Sequence, residues 1–345
     1  MVADRPLHPL RDGGAVLRPG RRVLRGHVDG LHGDDGTADG CSDCACRARS
    51  EVWWEAVFEA LEAPLERPAA ASRGEGSRIV LDRRGDGVLG TVSELLSTGE
   101  PLLVACADVS RRRALFTREL AAERFARPPA VCISSRCARD FGPELGAFGG
   151  ALCVAEHAAL EQAPSLATRF RHLFVLDPPP FAHVEALLYE GPAAGSGEGF
   201  LHLGWGPAEL DFSRKVLEHD LALRASLVSF YRALVGAGGT LEGMALEAVL
   251  AGDGVHPRRP AHAARCLRVL GELGLVAVER SSATVRCTIT SEERVELERS
   301  RAFCSYARTC EEGLRFLSEQ TFPKAPTTAA PTAGPTTRRR ERRAA

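Results

Sequence analysis

The chain has 345 residues, 44% of them hydrophobic, with 44 basic against 45 acidic side chains and a formal net charge of −1. This length allows about two domains plus tails, and the composition excludes a wholly disordered or fibrous chain. The balanced charge excludes capture of a polyanion or membrane surface by bulk electrostatics alone.

No apolar run approaches the ~18 residues of a membrane span, and the stretch Met1 to Gly14 lacks the apolar core of a secretion signal, so a cytoplasmic protein with no membrane partner is expected. The cysteine count, eleven, is odd. Cys106, Cys132, Cys153, Cys266, Cys287 and Cys304 fall in apolar or amphipathic surroundings, which suits reduced thiols better than a disulfide framework. Lysine stands only at 215 and 324, so nearly every cation is an arginine and any single one carries little functional weight.

Residues 1–50 read as a flexible Gly/Asp/Arg-rich segment with one apolar pulse, Val23 to Val28. Cys41, Cys44 and Cys46, with His27 and His32 upstream, have the ligand types of a zinc site; the alternative is a loop of reduced thiols. Trp53, Trp54, Val57, Phe58 and Leu61 then predict an amphipathic helix, stopped by Pro64 and Pro68. Its tryptophans suit packing more than base stacking.

Residues 51–206 are expected to form an α/β domain. Ile79 to Leu81 is a short apolar strand ending in Asp82-Arg83-Arg84, and Val88, Val92, Leu95 and Leu96 recur at helical spacing. Leu102 to Ala107 follows, an apolar run without polar alternation that predicts a strand buried on both faces of a parallel sheet. Further strands are read at 130–135, 151–155, 172–176 and 200–205, with helices between them, so a doubly wound, mostly parallel sheet is the natural solution. Asp82, Asp108, Ser134 and Asp177 fall at the carboxyl ends of these strands, where such sheets bind ligands.

Gly85-x-Gly87-x-x-Gly90, with Asp108 18 residues later, has the outline of a dinucleotide fingerprint. The plainer reading is a flexible strand-to-helix turn. The Leu176-Asp177-Pro178 turn resembles the acid-bearing strand of P-loop ATPases, yet no G-x-x-x-x-G-K-[ST] occurs anywhere. The expectation is a helicase-like sheet without an ATPase site.

Residues 207–320 change character. Leu217 to Leu234 gives one long helical pattern, Leu241 to Leu250 a second and Ala261 to Leu273 a third, followed by a hairpin over 275–280 and 284–289. That is the order of a winged helix-turn-helix. Arg258, Arg259, His262, Arg265 and Arg268 supply its third helix with a polar face suited to phosphates, although a protein-docking role is equally compatible. Glu292 to Gln320 predicts a further amphipathic helix, and residues 321–345 a disordered basic tail.

Several blocks together resemble the C-terminal region of bacterial RecJ, a 5′-to-3′ single-stranded-DNA-specific exonuclease of recombination and repair. They are Val23 to His27, Trp53-Trp54, Leu81 to Gly85, Gly99 to Val104, Leu176 to Pro179 and Ala264 to Val276. The resemblance implies single-stranded DNA or a DNA-processing protein as partner, with Arg83, Arg84, Arg111, Arg112 and Arg113 at the sheet's rim. It also implies that catalysis, with Mn²⁺ or Mg²⁺, belongs to an Asp-His-His core. This chain has no Asp-His-His motif, so no catalytic residue and no cofactor are assigned to it, and a separate core is the expected partner. Residues 1–50 would then be a remnant of the family's oligonucleotide-binding barrel. Two other classes stay open: a winged-helix transcription regulator with an α/β sensor domain, and a nucleotide-binding enzyme using Gly85, Gly87 and Gly90.

Overall fold

A computed structural model describes residues 50–65, 78–118, 131–133, 152–192, 198–252, 257–281 and 284–320. Six strands form an all-parallel sheet: β1 Arg78–Asp82, β2 Leu102–Cys106, β3 Val131–Ile133, β4 Leu152–Glu156, β5 His172–Val175 and β6 Gly199–Leu203. Their spatial order is β1-β6-β5-β2-β4-β3. The expected strands are all present, and every residue of β2 and β4 is buried, as an unalternating apolar run demands.

Helices cover both faces. On one, α2 (Val88–Ser97) and α3 (Val109–Arg118) place Val92, Leu95 and Val109 against Leu102, Val104, Leu152, Val154 and Phe174. On the other, α4 (His157–Gln162), a 3-10 turn over Pro164–Arg169 and α5 (Ala182–Tyr189) pack Leu160, Leu166 and Leu188 on Leu103, Ala105, Leu173 and Leu201. Alternate residues of one strand thus feed two separate cores.

The second unit contains α6 (Pro207–Leu221), α7 (Arg224–Gly236), β7 (Thr240–Glu242), α8 (Gly243–Ala251), α9 (Pro260–Glu272), the hairpin β8 (Val276–Arg280) and β9 (Val285–Ile289), and α10 (Arg301–Ser318). Its three strands form a small antiparallel sheet ordered β7-β9-β8.

Two expectations change here. The single long helix across Leu217 to Leu234 is two, because Ala222 leaves helical geometry at φ −81°, ψ 75° and the buried Leu223 turns the chain. The helix expected from Glu292 begins only at Arg301, where the Ser300 hydroxyl accepts the Phe303 N–H as an N-cap.

Helix α1 (Ser50–Glu62) corrects the domain boundary drawn at residue 51. It lies along α9, and Trp53, Trp54 and Val57 join Leu227, Phe230, Leu246, Leu267 and Cys287 in the C-terminal core. Arg280 of β8 stacks over Phe58, 4.7 Å from its ring centre. The tryptophans are therefore packing residues, one edge-on to the other at 4.8 Å.

The two units meet where α5, α6 and α10 bury Phe181, Val184, Leu210, Leu217 and Leu317 together. Gly313 allows this approach, since a Cβ there would stand 2.7 Å from Leu217 Cδ2 and 2.9 Å from Phe181 Cε1. Among the described residues no helix is long and apolar enough to cross a membrane.

Replacing Trp53 with Ala should cost about 3–5 kcal/mol, the usual loss for a large aromatic taken from a core. Urea unfolding checks it. The destabilised transition should be the one reporting on α9 and the small sheet, although Trp53 precedes the large sheet in sequence.

Candidate functional site at the strand ends

Strands β2, β4 and β5 are neighbours, but the chain leaves β2 for a helix on one face and leaves β4 and β5 for helices on the other. Their carboxyl ends therefore part to form a crevice, the position at which open α/β sheets hold ligands. Three acids converge on it: Asp108 just past β2, Glu156 at the end of β4 and Asp177 just past β5. All three are buried.

Asp177 is fully enclosed. Its Oδ2 accepts the Ala107 N–H at 3.0 Å and Arg112 Nε at 3.2 Å, while Arg112 Nη2 bonds Oδ1. The Arg112 guanidinium in turn lies 4.0 Å over the ring of Phe212 on α6. Burial pushes the Asp177 carboxyl above its ordinary range, and the Arg112 and Ala107 donors only partly offset this. The Asp177 carbonyl accepts from His157 Nε2 at 2.8 Å, which fixes the ring's tautomer and leaves the buried Nδ1 with no hydrogen-bond partner among the described residues.

Asp108 caps α3, accepting the Arg111 N–H at 3.1 Å and the Ser110 hydroxyl at 2.7 Å. Glu156 Oε1 accepts the Val109 N–H at 3.2 Å. One cation then ties the acids to the second unit. Arg259, immediately before α9, places Nη2 3.0 Å from the Ala107 carbonyl, 3.3 Å from Glu156 Oε1 and 3.6 Å from Asp108 Oδ2, and Nη1 3.0 Å from Asp220 Oδ2 on α6.

Burial alone would raise the Asp108 and Asp220 carboxyls; Arg259 and its neighbours outweigh it and hold both below the ordinary carboxylate range. Burial likewise opposes the charge on Arg259, and Glu156, Asp220 and Asp108 overcome it, raising the guanidinium's pKa. Beside this cluster lies a cavity of about 100 Å³ lined in part by His157, Glu161, Phe181, Asp220, Arg259 and Arg265.

Of the nine arginines singled out in the sequence, the eight whose side chains are described contact groups of the chain itself. Arg83 pairs with Glu94 at 3.2 Å and Asp86 at 3.6 Å, and Arg84 with Asp82 at 2.6 Å while lying over Trp205. Arg111 Nε is 3.5 Å from Asp108. Arg113 belongs to α3, but its side chain lies outside the described residues, as do Cys41, Cys44 and Cys46 and the tail arginines.

The polar face anticipated on α9 is an internal contact. Eight residues of α9, His262 among them, are buried. Arg258 reaches the Val249 carbonyl at 3.5 Å, Arg265 the Asp220 carbonyl at 3.0 Å, and Arg268 the Ala63 carbonyl at 2.8 Å, where it caps α1.

The glycine reading separates as well. Gly85 and Gly87 have φ of 108° and 81°, so the turn needs them, but open space surrounds their Cα positions. Their strand, β1, is an edge strand among the described residues, three strand positions from β2 and Asp108, or about 14 Å at the usual ~4.8 Å spacing. Glycines and acid therefore do not face one ligand.

Glu156 and Asp220 were not anticipated. Glu156 ends an apolar run just as Asp108 and Asp177 do, so the signal was present; Asp220 gives none, being one polar residue in a long helical pattern. Among the described residues no group of three His, Cys, Asp or Glu side chains could hold a metal ion. The chain matches no protein-family model, and comparison with curated proteins likewise finds no match. Fold and site together define an α/β protein whose strand-end crevice is filled by its own second unit.

Replacing Arg259 with Met should cost about 3–5 kcal/mol, because three acids then share a buried site without their cation. The conservative change Arg259→Lys should retain only part of the wild-type stability, since one ammonium cannot span Glu156 and Asp220. Denaturant melts of both variants test this.

A pH effect follows from three buried histidines. Burial is the main force holding His157, His202 and His262 neutral, with pKa values lowered to about 4. Unfolded, each takes its proton near its ordinary value of 6.5, so between pH 6.5 and 4 the unfolded chain binds more protons and acidification destabilises the fold. Urea melts at half-unit pH steps should show that loss, and His262→Gln should lower the slope by about one proton.

Proposed function

We propose that this chain is an accessory module of a DNA-processing assembly, similar to the helicase-like and winged-helix region of the RecJ exonucleases, working in the cytoplasm beside a separate catalytic core. The order α7, β7, α8, α9, β8, β9 with a three-stranded antiparallel sheet supports the winged-helix reading. The parallel sheet with helices on both faces supports the helicase-like one.

The observation that carries the proposal is Arg259 in the strand-end crevice. The place where such a sheet would hold nucleotide or metal is used to seat the second unit. The module therefore acts through its surfaces, and Mn²⁺ or Mg²⁺ chemistry belongs to the partner core.

Protein docking is favoured over reading DNA. Helix α9, which a DNA-reading winged helix would expose, is packed between α1 and α10, and its arginines donate to the chain's own carbonyls and carboxylates. The same burial counts against the transcription-regulator reading, and the distance between the glycine turn and Asp108 counts against the nucleotide-enzyme reading.

Purified chain should release no nucleotides from single-stranded DNA with manganese, and should stimulate a purified Asp-His-His core when added to it. Its own affinity for a single-stranded oligonucleotide should change little between about 50 and 200 mM salt, because Arg259, Arg265 and Arg268 are engaged within the chain. Manganese-dependent degradation by the chain alone would overturn the reading.

A further inference from the structure

We draw no further inference here: the strongest candidate, the cavity beside Arg259 between the sheet and the second unit, belongs to the site already described, and its Glu161 and Asp220 carboxylates are already paired with His183 and Arg259.

Discussion

One guanidinium ties together the buried acids at the junction of the two halves of this protein. Arg259 reaches from the start of α9 into the crevice above β2 and β4, where Asp108 and Glu156 close one side and Asp220 the other. A buried cluster of this kind is weak evidence for stability, since removing charges from water costs several kcal/mol each. It is better understood as a device of register. Three acids from two units and one planar donor array fit together in a single arrangement, which fixes how the second unit sits on the sheet.

The same contact occupies the acids at the strand ends. Asp177 is saturated by Arg112 and the Ala107 N–H, Asp108 by its own helix and Arg259, and Glu156 by the Val109 N–H and Arg259. A site for a hard cation needs carboxylate lone pairs aimed at an empty volume. Here they point at arginines: Arg112, which lies over the Phe212 ring of α6, and Arg259 at the start of α9. The cavity beside Arg259 belongs to this seam, its apolar wall coming from both units.

Much of the fold was legible because its signals are local. Unbroken apolar runs gave the strands of a parallel sheet, and glycine and proline marked most helix ends. What sequence could not supply was pairing order. Gly85 to Gly90 and Asp108 look adjacent on paper, yet β5 and β6 insert between their strands, and nothing within residues 78–108 announces strands that begin only at His172 and Gly199. Helix α1 was misplaced for the same reason: an amphipathic helix specifies that its face is buried, not which core takes it. Asp220 was missed because a charge on a helix acquires meaning only from the element packed against it.

The arginines carry the remaining lesson. In a chain that uses arginine almost to the exclusion of lysine, clusters such as 111–113 or 258–268 suggest phosphate binding. A guanidinium, however, presents five donors in a plane and serves carbonyls as well as anions. Arg78 satisfies five carbonyls, Arg268 closes the end of α1, and Arg265 holds the carbonyl of Asp220. A lysine could replace none of these, having neither the reach nor the planar spread. A run of arginines in this sequence is therefore not by itself evidence of a phosphate-binding surface, since the same side chains serve the chain's own carbonyls.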